Sequence, residues 1–112
     1  MIIYHNPRCS KSRKALQLLK ENGEEPDVVE YLKTPLNQNE LADLLKKLKI
    51  RAHELLRIKE DEYSELGLST ETPEEDILTA IVINPILLER PIIVKGRKAL
   101  IARPPELLED LL

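Results

Sequence analysis

The sequence has no Phe, no Trp and only three Tyr. Binding of single-stranded nucleic acid uses several exposed aromatic rings set in a basic groove. With so few rings and a formal net charge of −3, the chain is not expected to bind nucleic acid. It holds a single cysteine, Cys9, which excludes an internal disulfide and any zinc site built on two or more thiolates. With only His5 and His53 to add, a closed zinc site would have to recruit carboxylates, and no metal is expected. Long apolar runs are also missing. The opening residues Met1-Ile2-Ile3-Tyr4-His5 carry no basic segment followed by an apolar stretch, so neither a signal peptide nor a membrane span is expected, and the expected location is cytoplasmic. Three Gly and eight Pro in 112 residues, with 42% hydrophobic and 33% charged residues, fit a globular chain rather than a fibrous or disordered one. A chain of this length folds as one domain and buries roughly two-thirds of its unfolded surface.

Acidic residues are absent from one region. Residues 1–20 contain Arg8, Lys11, Arg13, Lys14 and Lys20 with no Asp or Glu, while the other 92 positions hold 12 cations against 20 anions. A cationic run is most often a solvated helix face, but this one brackets the only thiol.

Ile2-Ile3-Tyr4 reads as a strand that stops at His5-Asn6-Pro7, where Asn and Pro signal a turn. A helix follows, capped by Ser10 or a neighbour, with Ala15, Leu16 and Leu19 on one face and Asn22-Gly23 as its stop. Asp27 to Leu32 reads as a second strand, parallel to the first because a strand–helix–strand crossover is right-handed. In the middle, Asn37 and Glu40 form a capping-box pattern before the stripe Leu41, Leu44, Leu45 and Leu48. Short helical pieces are expected around 52–57 and 63–66, the second ended by Gly67. Thr72-Pro73-Glu74-Glu75 marks a helix through Ile77, Leu78 and Ile81 to Asn84-Pro85, although Ala80 to Ile83 alone could pass for a strand. Ile92 to Ile101 has a hairpin pattern around Lys95-Gly96-Arg97-Lys98, and a last helix near Pro104-Pro105 presents Leu107, Leu108 and Leu111. The order implies α/β with a mixed four-stranded sheet and flanking helices.

Cys9 falls where the first strand turns into the first helix. An inert buried thiol is the commoner state of a lone cysteine. Here, free N–H groups at the helix start and the nearby Arg and Lys side chains favour thiolate, so a lowered pKa is expected. The same groups would bind an oxyanion, which places a nucleophile inside an anion cradle.

His5-Asn6-Pro7-x-Cys9-Ser10-x-Ser12-Arg13 resembles the active-site motif of the glutaredoxin-coupled arsenate reductases, the thioredoxin-like family that also contains the redox regulator Spx. The resemblance continues through Leu56-Arg57, Glu65-Leu66-Gly67-Leu68, Asn84-Pro85-Ile86-Leu87, Glu89-Arg90-Pro91-Ile92 and Ile101-Ala102-Arg103-Pro104-Pro105-Glu106. It implies a single domain over 1–112, with a thioredoxin-like core at about 1–32 and 90–112 and a helical insertion at about 33–89. It further implies that Cys9 attacks arsenate, that His5 and Ser12 lower its pKa, and that Arg57, Arg90 and Arg103 hold the oxyanion, with Ser10, Lys11 and Arg13 at the same anion site. On their own, each of these arginines could be a solvated charge, His5 a structural imidazole and Ser12 a first-turn hydroxyl.

The resemblance also implies a cis bond before Pro91, glutathione as co-substrate, glutaredoxin as partner, no bound cofactor and a monomer. Better-known reductases of this type continue further past the segment matching Pro104-Pro105-Glu106. An Spx-like regulator that binds RNA polymerase often carries a Cys-x-x-Cys switch, and here its second position is Ser12. A thiol-dependent reductase acting on another substrate is equally compatible with the motif.

Overall fold

The computed structural model describes residues 1–112, and the chain divides into two compact units, Met1–Thr34 with Arg90–Leu112, and Pro35–Glu89.

In the first unit, β1 (Ile2–His5) leads through a turn into α1 (Ser10–Glu21), and β2 (Asp27–Glu30) returns parallel to β1, with His5 opposite Glu30. The later segment supplies β3 (Ile92–Lys95), antiparallel to β1, and β4 (Lys98–Ile101), which pairs with β3. The sheet order is β2-β1-β3-β4, one parallel and two antiparallel pairs, so the fold is α/β with a mixed sheet. β1 lies inside the sheet, so the chain leaving it starts α1 from the sheet's interior.

α1 closes as its sequence suggests. Gly23 adopts φ +79° and the Glu24 N–H reaches back to the Leu19 carbonyl at 3.0 Å, a left-handed closure that a glycine makes without a Cβ clash. A 3-10 helix, Pro105–Leu111, packs against α1 and β4. The buried cluster on this face is Ile3, Ala15, Leu19, Ile93, Ala102 and Leu108.

Cys9, a neighbour of Ser10, occupies the cap position of α1, and its side chain makes no capping bond. Two expectations are corrected in this unit. β2 ends at Glu30 rather than Leu32, because the Lys33 and Thr34 N–H groups both turn back to the Glu30 carbonyl at 2.9 Å. The last helix is 3-10 rather than α. Its apolar residues Pro105, Leu108 and Leu111 are spaced by three, the repeat that a three-residue turn brings onto one face. Leu107 falls off that face and is exposed.

The second unit is helical: α2 (Gln38–Leu48), a 3-10 turn at Ala52–Leu55, α3 (Asp61–Glu65), α4 (Glu74–Ile83) and a 3-10 turn at Pro85–Leu87. Asn37 and Glu40 close the expected capping box, the Glu40 N–H donating to Asn37 Oδ1 at 2.8 Å and the Asn37 N–H to Glu40 Oε1 at 3.0 Å. Leu41, Leu44, Leu45 and Leu48 are buried along α2, which packs on α4.

The segment Ala80 to Ile83 is helical. Its cap is Pro73 rather than Thr72, because the Thr72 hydroxyl oxygen instead accepts the Ser69 N–H at 2.9 Å in the preceding turn. α3 begins at Asp61, two residues earlier than the piece expected at 63–66. Two short segments form an antiparallel ribbon. The Arg57 N–H donates to the Leu87 carbonyl at 2.8 Å, the Glu89 N–H to the Leu55 carbonyl at 2.7 Å, and Leu56 bridges Leu88. No helix is long and apolar enough to cross a membrane.

Candidate active site

The turn between β1 and α1 is fixed by its own polar groups. The Cys9 N–H donates to the Asn6 carbonyl at 3.0 Å and the Arg8 N–H to Asn6 Oδ1 at 3.0 Å. Arg13 spans the turn, its Nη1 donating to the Pro7 carbonyl at 2.9 Å. Asn6 is buried and serves both ends of the loop; sequence reasoning assigned it no role beyond signalling a turn.

Beneath the turn, His5 Nδ1 lies 2.6 Å from the Ser12 hydroxyl oxygen, which also accepts the Asn6 N–H at 3.1 Å. Both side chains are buried. Burial holds the His5 pKa below the usual imidazole value; Glu30 opposes this and the charges of Arg13 and Lys20 add to it. A neutral imidazole either accepts the Ser12 proton or, as the other tautomer, donates to Ser12 Oγ and releases the hydroxyl proton for another acceptor.

The Cys9 thiol is half-buried, and burial pushes its pKa up. The backbone N–H of Ser12, the Arg90 side chain by hydrogen bond and charge, and the backbone N–H of Lys11 outweigh burial, and the pKa is held below the ordinary thiol value. Arg103 Nη1 is 3.9 Å from Cys9 Sγ and donates to the Arg90 carbonyl at 3.1 Å.

Arg90 immediately precedes Pro91 and β3, Arg103 follows β4, and the hairpin ladder is extended by the Ala102 N–H to the Pro91 carbonyl at 2.9 Å. This pairing brings together two arginines 13 positions apart. The Arg90–Pro91 peptide is cis, as expected, and so is Arg103–Pro104, which was not foreseen.

The remaining candidates occupy different positions. Ser10 is the first residue of α1, with an exposed side chain. Lys11 acts on the thiol through its backbone N–H, and its side chain is exposed. Arg57 belongs to the second unit, where its guanidinium donates from Nε to Glu60 at 3.0 Å and from Nη1 to Glu89 at 3.2 Å. The two glutamates were missed, although Glu89 stands in the quoted Glu89-Arg90-Pro91 block; nothing in the sequence pairs it with a residue 32 positions away. No group of three or more His, Cys, Asp or Glu is placed to hold a metal.

A half-buried thiolate facing backbone N–H groups and two guanidinium groups can attack a centre that carries oxyanion oxygens, because the donors that stabilise the thiolate also bind such oxygens. The sequence profile of the ArsC family matches residues 4–111. The chain belongs to the ArsC family.

An arsenate reductase of Neisseria meningitidis is 48% identical over 112 residues, covering 98% of this chain and 96% of that one. The Escherichia coli K12 protein YfgD, described only as uncharacterized, is 58% identical over 106 residues, covering 93% and 89%. The structure of an arsenate reductase from Vibrio cholerae superposes with a TM-score of 0.96 at 39% identity, covering 99% of this chain and 96% of that one. Other relatives of this ArsC chain are longer, as expected: an arsenate reductase of Yersinia enterocolitica, 39% identical over 111 residues, is matched over 98% of this chain and 79% of that one.

Proposed function

We propose that this protein is an arsenate reductase that works through a Cys9 adduct resolved by glutathione and glutaredoxin. The observation that carries the reading is the thiol of Cys9 held beside Arg90 and Arg103, with the N–H groups of Lys11 and Ser12 favouring thiolate.

Arsenate is an anion at neutral pH, and planar guanidinium forks bind its oxygens in pairs. Arg90, Arg103 and, by family resemblance, Arg57 are the oxyanion ligands. His5 and Ser12 assist the thiolate, His5 acting through its bond to the Ser12 hydroxyl. Ser10, Lys11 and Arg13 shape the anion side of the loop, Arg13 by holding the Pro7 carbonyl.

In the first step an S–As bond forms to Cys9 and an As–O bond breaks, the oxygen leaving as water once protonated. Reduction of As(V) to As(III) needs two electrons, which a single thiol cannot supply as a disulfide. Glutathione then displaces a second oxygen. A glutaredoxin thiolate attacks the glutathione sulfur, an S–S bond forms, and the S–As electron pair passes to arsenic. Hydrolysis of the remaining S–As bond frees arsenite and Cys9. The same reading makes the protein a monomer of the cytoplasm, where both donors are kept reduced.

The test is arsenate-dependent oxidation of glutathione in the presence of glutaredoxin, with Cys9→Ser as the control. Turnover by the wild type and none by the variant is expected. No wild-type turnover would overturn the reading, and co-purification with RNA polymerase would then point to the regulatory alternative.

A further inference from the structure

The parallel strands β1 and β2 diverge at their carboxyl ends. After His5 the chain turns into α1, and after Glu30, the residue opposite His5, it turns back through Lys33. Between the two exits lies a cleft of about 280 Å³, bounded by residues 5–8 on one side and by Glu30, Leu32 and Lys33 on the other. A crevice outside the carboxyl ends of neighbouring strands is where open α/β sheets bind ligands. Arg90 and Arg103, which face the thiol, are not among its walls.

The cleft presents two cations and one anion. The Arg8 side chain is exposed and unpaired. Lys33 Nζ meets Glu30 Oε1 at 3.5 Å with 79% and 38% of the two side chains exposed, so water screens the pair and ligand charges replace it at little cost. Leu32, 40% exposed, adds an apolar contact. Glutathione carries two carboxylates and one ammonium near neutral pH, the inverse of this set.

Arg8 directly precedes Cys9, their Cα atoms about 4 Å apart. An extended tripeptide spans about 10 Å, so one seated in the cleft reaches the turn that carries the thiol. The bond from the Arg8 N–H to Asn6 Oδ1 at 3.0 Å fixes the backbone from which the Arg8 side chain extends.

We infer that this cleft is the docking site of glutathione, with Arg8 and Lys33 taking its carboxylates and Glu30 its ammonium. The inference rests on the proposed reading, in which glutathione brings the second sulfur to the adduct on Cys9, and adds where that peptide sits.

The test is an NMR titration of the protein with S-methylglutathione, which keeps every charge of glutathione and has no thiol. Amide shifts are expected to concentrate in residues 5–8 and 30–33. Arg8→Ala and Lys33→Ala are each expected to raise Kd about threefold, and Lys33→Glu about tenfold. The diethyl ester of S-methylglutathione, which lacks both carboxylates, should bind more weakly and be indifferent to Lys33→Ala, a difference that a merely structural lysine would not produce.

Shifts centred elsewhere, an unchanged Kd in the variants, or equal binding of the ester would overturn the inference. So would loss of the shifts in an equal concentration of sulfate, which would mark a general anion site. Arsenate-dependent oxidation of glutathione by a wild type whose cleft does not respond would overturn this inference alone. Binding in the cleft of a wild type that reduces no arsenate would support the docking site and overturn the proposed function.

Discussion

At Cys9, burial and hydrogen bonding pull in opposite directions, and the outcome decides whether the thiol is inert or reactive. Burial raises the pKa, while two backbone N–H groups and the Arg90 guanidinium lower it further than burial raises it. Each of those donors favours the thiolate and does nothing for the thiol, so the reactive form extends to lower pH than in a free cysteine. Alkylation rates measured against pH should show a midpoint below the roughly 8.5 of a free thiol. A midpoint at or above that value would mean that burial wins. Arg90 is only 8% exposed, and Arg90→Lys keeps its charge while removing the planar fork. If Arg90 grips the oxyanion with two donors, kcat/KM for arsenate should fall by roughly tenfold or more, about 1 to 3 kcal/mol of transition-state stabilisation. A solvated arginine would leave it almost unchanged.

Among the elements, α2 shows both what a local signal can specify and what it leaves undone. Its start is closed by a reciprocal Asn37–Glu40 box, and Asn37→Ala should cost about 1 kcal/mol, measured as a lower urea midpoint at constant slope. Its end lacks the usual glycine. Lys49 sits there at φ +56°, in a left-handed conformation that crowds a Cβ. Lys49→Gly should therefore raise stability by up to about 1 kcal/mol in the same measurement, the relief of strain exceeding the entropy a glycine adds to the unfolded chain. At α4, by contrast, the Thr72 signal was read one residue too early. A hydroxyl two positions before a helix can serve the preceding turn equally well, and Thr72 takes the Ser69 N–H.

Across the whole molecule, one thiol in 112 residues sets a limit on the chemistry. A protein with two or three cysteines could resolve an arsenic adduct internally as a disulfide; this one has to take its second sulfur from outside. Incubated with arsenate and no added thiol, it should release no arsenite, and mass spectrometry should find no intramolecular disulfide. Arsenite appearing under those conditions would contradict the external-thiol route. The acid-free segment 1–20 places cations around the site in an otherwise acidic chain, but the groups that act on the thiol are more specific than that charge total: two backbone N–H groups of α1 and one buried guanidinium from the far end of the sequence.

The sequence by itself determined the order of elements, the parallel return of β2, the caps of α1 and α2 to within a residue, and the place of Cys9 at a helix start. All of these depend on patterns of a few neighbouring residues, and the physics of caps, turns and apolar periods operates over that range. The tertiary structure alone decided that Arg90 and Arg103 meet at the thiol, because their meeting depends on the β3–β4 ladder and on β3 pairing with β1 across nearly ninety residues. It likewise decided that Arg57 is shared between Glu60 and Glu89, since a ribbon joining residues 32 apart has no local signature. The 3-10 form of the last helix also belongs to packing: Pro105, Leu108 and Leu111 fit either helix type on paper, and burial against α1 and β4 favoured the three-residue turn that aligns them.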